Sequence, residues 1–227
     1  MKDHIEADEL VCGTGFEDGK GCFIGCTFDR YDHEHAALST GVPEWLWYLA
    51  DDLHEIMSRS VDRGDMALKL LHGFEKCEDF DGLERAIHIY IQRRNIERVT
   101  ALEIDAALKS EVLAAIDAVI SCHEAALPVD APEWAAAEAA STSAQVSVTS
   151  VTSEAEWSAA LAARSAEWSA ALEAEAEDWS TLAKRSVKLS AAWSASSAAE
   201  AEDWSTLAKW SATYDDIGQE LLRLLER

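Results

Sequence analysis

By hydrophobic spacing, the chain divides into two stretches of unlike pattern. Residues 9–28, ELVCGTGFEDGKGCFIGCTF, mix short apolar runs with five Gly. This predicts a β-hairpin or Gly-rich loop leading into one strand, CFIGCTF. Helical spacing then takes over. In TGVPEWLWYLADDLHEIM, Pro43 suits a first helical position and Glu44 falls in the first turn. Leu46, Leu49, Leu53 and Ile56 follow at three- and four-residue steps. GDMALKLLHGF predicts a short helix closed by Gly73, and Asp81 is the expected cap of GLERAIHIYIQRRNI. TALEIDAALKSEVLAAIDAVISCHEAAL keeps helical spacing for several turns and stops before Pro128. Residues 1–130 therefore predict a mostly α domain with an N-terminal β-hairpin or Gly-rich loop.

Residues 131–227 predict a helical tail built on an Ala/Trp repeat. EWAAAEAA opens a helix, and STSAQVSVTSVTS, 141–153, predicts a connection, extended in part, because β-branched and hydroxyl residues crowd there. From 154 to 213 there is neither Gly nor Pro, and Ala dominates. The eleven residues AEAEDWSTLAK occur twice, at 174–184 and 199–209. Trp157, Trp168 and Trp179 are 11 apart, Trp193 follows 14 later, and Trp204 another 11. An 11-residue step overshoots three turns by ~20° and a 14-residue step brings the drift back by ~40°, so five indoles can share one stripe. A 60-residue helix would be ~90 Å long, so the segment is expected to fold back as a hairpin or bundle, or to pair with a second copy of the chain. The fold class is thus mainly α, with a small N-terminal β-hairpin on a helical domain followed by long repeat helices.

Charge narrows the partners. The net charge is −24, with 27 acids against 12 Lys and Arg in residues 1–130 and 16 against 7 in residues 131–227. A field of that sign repels nucleic-acid backbones and anionic membranes and attracts basic surfaces. No apolar run reaches the ~18–20 residues of a membrane span. The acidic start, MKDHIEADEL, has no signal-peptide core. Five Cys, an odd set, then read as reduced thiols in a cytoplasm.

The densest polar cluster is GKGCFIGCTFDRYDHEH, 19–35. Cys22, Cys26, His33 and His35 are four zinc-ligand types within fourteen residues. Their spacing is not a common finger, and adjacent strand faces would aim them apart, so packed thiols and surface histidines account for them and no metal is expected. Gly13, Gly15, Lys20, Arg30, Tyr31 and His33 form a candidate ligand-binding set: glycines for close backbone approach, cations for an anion. A plain hairpin turn also uses those glycines, and GTGFEDG is not a dinucleotide fingerprint. A nucleophile pair, Cys22 or Cys26 with His33, lacks an orienting third group, so no catalytic residue and no cofactor are expected. Asp51, Asp52, Glu55 and Asp62 can be drawn as a metal cluster, but the first three read as the wet face of a helix. RRN at 93–95 reads as a helix C-terminus.

The stretch GCFIGCTFDRYDHEHAALSTGVPEWLWYLAD resembles a family of uncharacterised phage and prophage proteins. These open with a Gly-rich stretch and a GCFIGC-like strand. A YDH motif follows, here Tyr31, Asp32 and His33, and then a GIP-x-x-L helix start, here Gly41, Val42, Pro43 and Leu46. They end in an Ala-rich helical tail punctuated by aromatics. The resemblance implies a phage or mobile-element origin and a role against host defence, in the host cytoplasm. It transfers no catalytic assignment. The expectation is a non-enzymatic binding protein that sequesters a small nucleotide signal. An acidic decoy or partner-binding inhibitor of a host defence protein, and a structural protein oligomerised through its Trp stripe, are the alternatives. Expected partners are a second copy of the chain and a host protein or nucleotide signal, with no direct nucleic acid and no membrane.

Overall fold

Helices account for most of the computed structural model. It describes residues 1–7, 9–11, 15–56, 62–128, 130–148, 159–160, 162–167, 169–170 and 204–226. They fall into two compact units, Met1–Leu83 with Tyr214–Arg227, and Glu84–Thr213.

The first unit begins with α1 (Lys2–Glu6), followed by a hairpin of β1 (Phe16–Glu17) and β2 (Lys20–Gly21). The strands pair antiparallel, Phe16 with Gly21 and Glu17 with Lys20. The turn is Asp18–Gly19, both at positive φ (51° and 80°). That pair of left-handed residues matches the twist of a two-residue hairpin, which explains the Asp-Gly dipeptide. CFIGCTF does not continue as a strand. It forms α2 (Phe23–Phe28), with Phe23, Ile24, Gly25 and Cys26 buried, and Asp29 ends it in the left-handed region. A short apolar run looks the same to periodicity whether it is a buried strand or a buried helical turn.

The helices α3 (His33–Thr40), α4 (Glu44–Ile56) and α5 (Arg63–Lys76) follow. The Asp32 and Asp62 carboxylates cap α3 and α5 by accepting from His35 N and Asp65 N. α5 does not close at Gly73. It runs one turn further because Gly73 is a packing residue: a Cβ there would lie 2.8 Å from the Leu225 side chain. Leu225 belongs to the last helix, α9 (Trp204–Leu225), which also buries Tyr214, Ile217 and Leu221. Trp47 of α4 anchors this core. It is 1% exposed and meets Phe23, Phe28 and Phe74 at ring separations of 6.0, 5.1 and 5.3 Å.

α6 (Phe80–Ala101) starts one residue before the expected cap, and Asp79 takes that role by accepting from Gly82 N. It continues through RRN, so those residues are mid-helix. Arg93 pairs with Glu124 and Arg94 with Glu97. In the second unit α7 (Ala106–Glu124) and α8 (Pro132–Val148) pack against each other. The change of composition near residue 130 falls between these two helices. Residues 141–148 are helical, against the expected connection. Ser141 and Ser147 turn their hydroxyls back on the helix, to Ala137 O and Ser143 O, while Thr142 and Ser143 bond Glu167 and Glu111, so these hydroxyls do not compete with the helix's own backbone bonds. The described residues from 159 to 170 are helical as well. Ala159, Ala163, Ala166 and Ala170 are buried there with Ser165 and Ser169. Trp157, Trp168, Trp179 and Trp193, and most of the doubled AEAEDWSTLAK repeat, lie outside the described residues. Trp204 is the first residue of α9. No helix among the described residues is long and apolar enough to cross a membrane.

Candidate functional site

Three interlocked glycines place the first functional side chain. Gly15, at φ +56°, packs beneath Tyr31, where a Cβ would come within 3.1 Å of the ring. A Cβ on Gly21 or Gly25 would collide with the Gly15 carbonyl. That carbonyl instead accepts from Cys22 N at 2.8 Å. The hairpin is thereby laid onto the start of α2, and Cys22 is fixed at the junction.

From there the chain brings three donor groups together, with a histidine beside one of them. The Cys22 thiol and one carboxylate oxygen each from Asp51 and Glu55 lie within 4.8 Å of one another. Asp51 and Glu55 are one turn apart on α4, so they share a face. His33, the first residue of α3, brings Nε2 to 3.5 Å from Asp51 Oδ2. Its ring stacks on Tyr48 at 3.8 Å and 4°, and meets Tyr31 edge-on at 5.0 Å. These contacts hold the imidazole between two tyrosine neighbours.

The electrostatics follow from burial. Asp51 is 4% exposed and His33 5%. Burial pushes the Asp51 carboxyl up, but His33 and Cys22 outweigh it and hold the group below its ordinary value. The Cys22 thiol is raised, by burial first and then by Asp51, so it keeps its proton. Tyr31 leaves 55% of its surface in water, yet its hydroxyl is raised by local desolvation and by the Asp51 charge. Asp51 Oδ1 and His33 Nε2 are buried without a partner at hydrogen-bond geometry; the 3.5 Å approach is an ion-pair distance, long for a hydrogen bond.

The residues expected from the sequence separate here. Tyr31 and His33 of the ligand-binding set converge, and Gly15 shapes the floor. Lys20 is exposed on the hairpin, Arg30 pairs with Asp32 in solvent, and Gly13 lies outside the described residues. Of the four zinc-type residues, Cys22 and His33 meet. Cys26 donates to Gly21 O and Glu9 O, and His35 packs edge-on against Phe28. Asp51 is not on a wet face. α4 also buries Trp45, Leu46, Trp47, Leu49, Ala50, Leu53 and His54, and a helix apolar over most of its circumference buries its polar residues too. That near-continuous apolar run was the signal available for Asp51.

A separate cleft of ≈ 420 Å³ opens in the same unit, walled by Phe28, Trp47, Phe74 and Phe80, with Thr27 and Glu75 at its edge. No protein-family model, no curated protein and no solved structure matches the chain.

Proposed function

We propose that the chain is a binding protein without catalytic activity that sequesters a small signal built on a nucleobase, in the role against host defence that the N-terminal resemblance implies. The observation that carries this reading is the ≈ 420 Å³ cleft, lined by the half-buried rings of Phe28 and Phe80 and by the buried Trp47 and Phe74. Its size suits a small ligand, and aromatic faces stack on any base. Among the described residues Glu75 is the only charged side chain lining it, so the base enters and phosphates stay outside.

The Cys22 cluster argues for binding over turnover. Asp51 touches both Cys22 and His33, in the place where a thiol nucleophile needs its base. A thiol kept protonated is a poor nucleophile. Isothermal titration with a panel of cyclic and linear nucleotide signals, followed by chromatography of the recovered ligand, tests the reading. Binding of one member, its recovery intact and its loss in Phe28→Ala support it. Turnover of the ligand, or no binding to any member, overturns it.

The charge of −24, spread over both halves of the sequence, favours a second reading, an acidic decoy for a basic host protein. Capture of such a protein that fades with rising salt supports it, since charge-led association is screened. Capture that ignores salt counts against it.

A further inference from the structure

We propose that Cys22, His33, Asp51 and Glu55 form a binding site for one divalent transition ion of the zinc class. The inference is independent of the aromatic cleft.

The first support is convergence. Two elements, the β2–α2 junction and one face of α4, deliver a sulfur and two carboxylates to one point, and the start of α3 sets the His33 imidazole against one of those carboxylates. Donors each ~2.0–2.3 Å from a shared tetrahedral ion lie about 3.3–3.8 Å apart. Cys22, Asp51 and Glu55 lie within 4.8 Å of one another, with His33 at 3.5 Å from Asp51, so binding draws the first three together by up to about 1 Å.

The second support is independent of spacing. His33 Nε2 and Asp51 Oδ1 belong to side chains more than nine-tenths buried, and neither atom has a hydrogen-bond partner. Leaving such groups unmade is costly. An ion bound between them would satisfy both and neutralise the buried carboxylate charge.

The donor set names the class. Thiolate, imidazole and carboxylate together suit zinc and its borderline neighbours; magnesium and calcium take oxygen ligands and do not recruit a thiol. Binding replaces the S–H bond of Cys22 with a sulfur–metal bond, and the proton leaves to solvent, so no oxidant or reductant enters. The Tyr48 ring stacked on His33 holds the imidazole plane in place.

Cobalt(II) is the probe, because it takes zinc sites and reports its ligands. The purified full-length chain is stripped with chelator, checked for retained helix by circular dichroism, and titrated with cobalt chloride. The expected result is one equivalent bound, visible bands of tetrahedral type, a thiolate-to-cobalt charge-transfer band, and displacement by zinc. Cys22→Ser should abolish the charge-transfer band, whereas Cys122→Ser, in the other unit, should keep it. Glu55→Gln should weaken binding by about tenfold or more. Helical wild-type protein that takes up no stoichiometric cobalt overturns the site. So does a charge-transfer band that survives Cys22→Ser. Cobalt uptake with no nucleotide binding would leave this site standing and remove the cleft reading; the reverse result would do the opposite.

Discussion

Acidification should unfold the second unit through two buried imidazoles. His88 and His123 stack at 5.0 Å with their rings 12° from parallel. Ser169 Oγ sits 3.0 Å from His88 Nδ1 and 2.9 Å from His123 Nε2. Trp134 closes the edge of His123 at 4.8 Å. Burial depresses His88 from 6.5 to about 4. Burial depresses His123 too, and His88 and Arg85 add to it. A histidine whose folded value lies below its unfolded value takes a proton more readily once unfolded. Its contribution is therefore complete above pH 6.5 and is lost as pH falls towards about 4. For His88 alone that interval corresponds to about 3 kcal/mol, at ~1.4 kcal/mol for each pH unit. This is a large part of the ~5–15 kcal/mol that holds a typical domain together. Asp51, held below its ordinary 3.8, loses its own contribution only at lower pH, so the two windows separate. Urea unfolding followed by far-ultraviolet circular dichroism, from about pH 7 down to about 4.5, reads the effect as a steadily falling midpoint. His88→Asn keeps an amide for Ser169 and removes one proton site, so its profile should be shallower. A flat wild-type profile across that range, or an undiminished slope in His88→Asn, would refute the reasoning.

Trp47→Ala should cost ~3–5 kcal/mol, because a fully buried indole leaves a cavity among three aromatic rings; a melting midpoint within a degree or two of wild type would contradict that packing. Gly25→Ala should cost at least ~1–3 kcal/mol through collision with the Gly15 carbonyl, and it should weaken cobalt uptake by displacing Cys22, which the same titration measures. Asp105→Ala should remove the α7 cap, where the carboxylate accepts from Ala107 N and Leu108 N, at ~1 kcal/mol in urea unfolding. If the indole stripe expected from the sequence is core, Trp168→Ala or Trp179→Ala should each cost ~3–5 kcal/mol. An unchanged melting midpoint would assign those indoles to a partner, and a mass measurement in solution would show whether that partner is a second copy.

The helical character of this chain was legible from the sequence because it rests on local terms. Three- and four-residue apolar steps, Pro43 and the Gly-rich stretch before α2 each act over a few residues. Mainly α architecture with one small hairpin followed from them. In several places where the sequence reading failed, the deciding partner lay outside the segment itself. Gly73 looked like a helix end, but Leu225, far along the chain, occupies the space its missing Cβ leaves. CFIGCTF looked like a strand until the Gly15 carbonyl seated Cys22 at a helix start. Asp51 looked solvated, because composition cannot say that Cys22 and His33 close over that face of α4. Likewise, Ser165 and Ser169 bond Gln92, Asn95, His88 and His123 more than 40 residues away in sequence. Local propensity is written into neighbouring residues. Which polar groups share a buried site depends on contacts between segments remote in sequence, and only the folded chain brings those segments together.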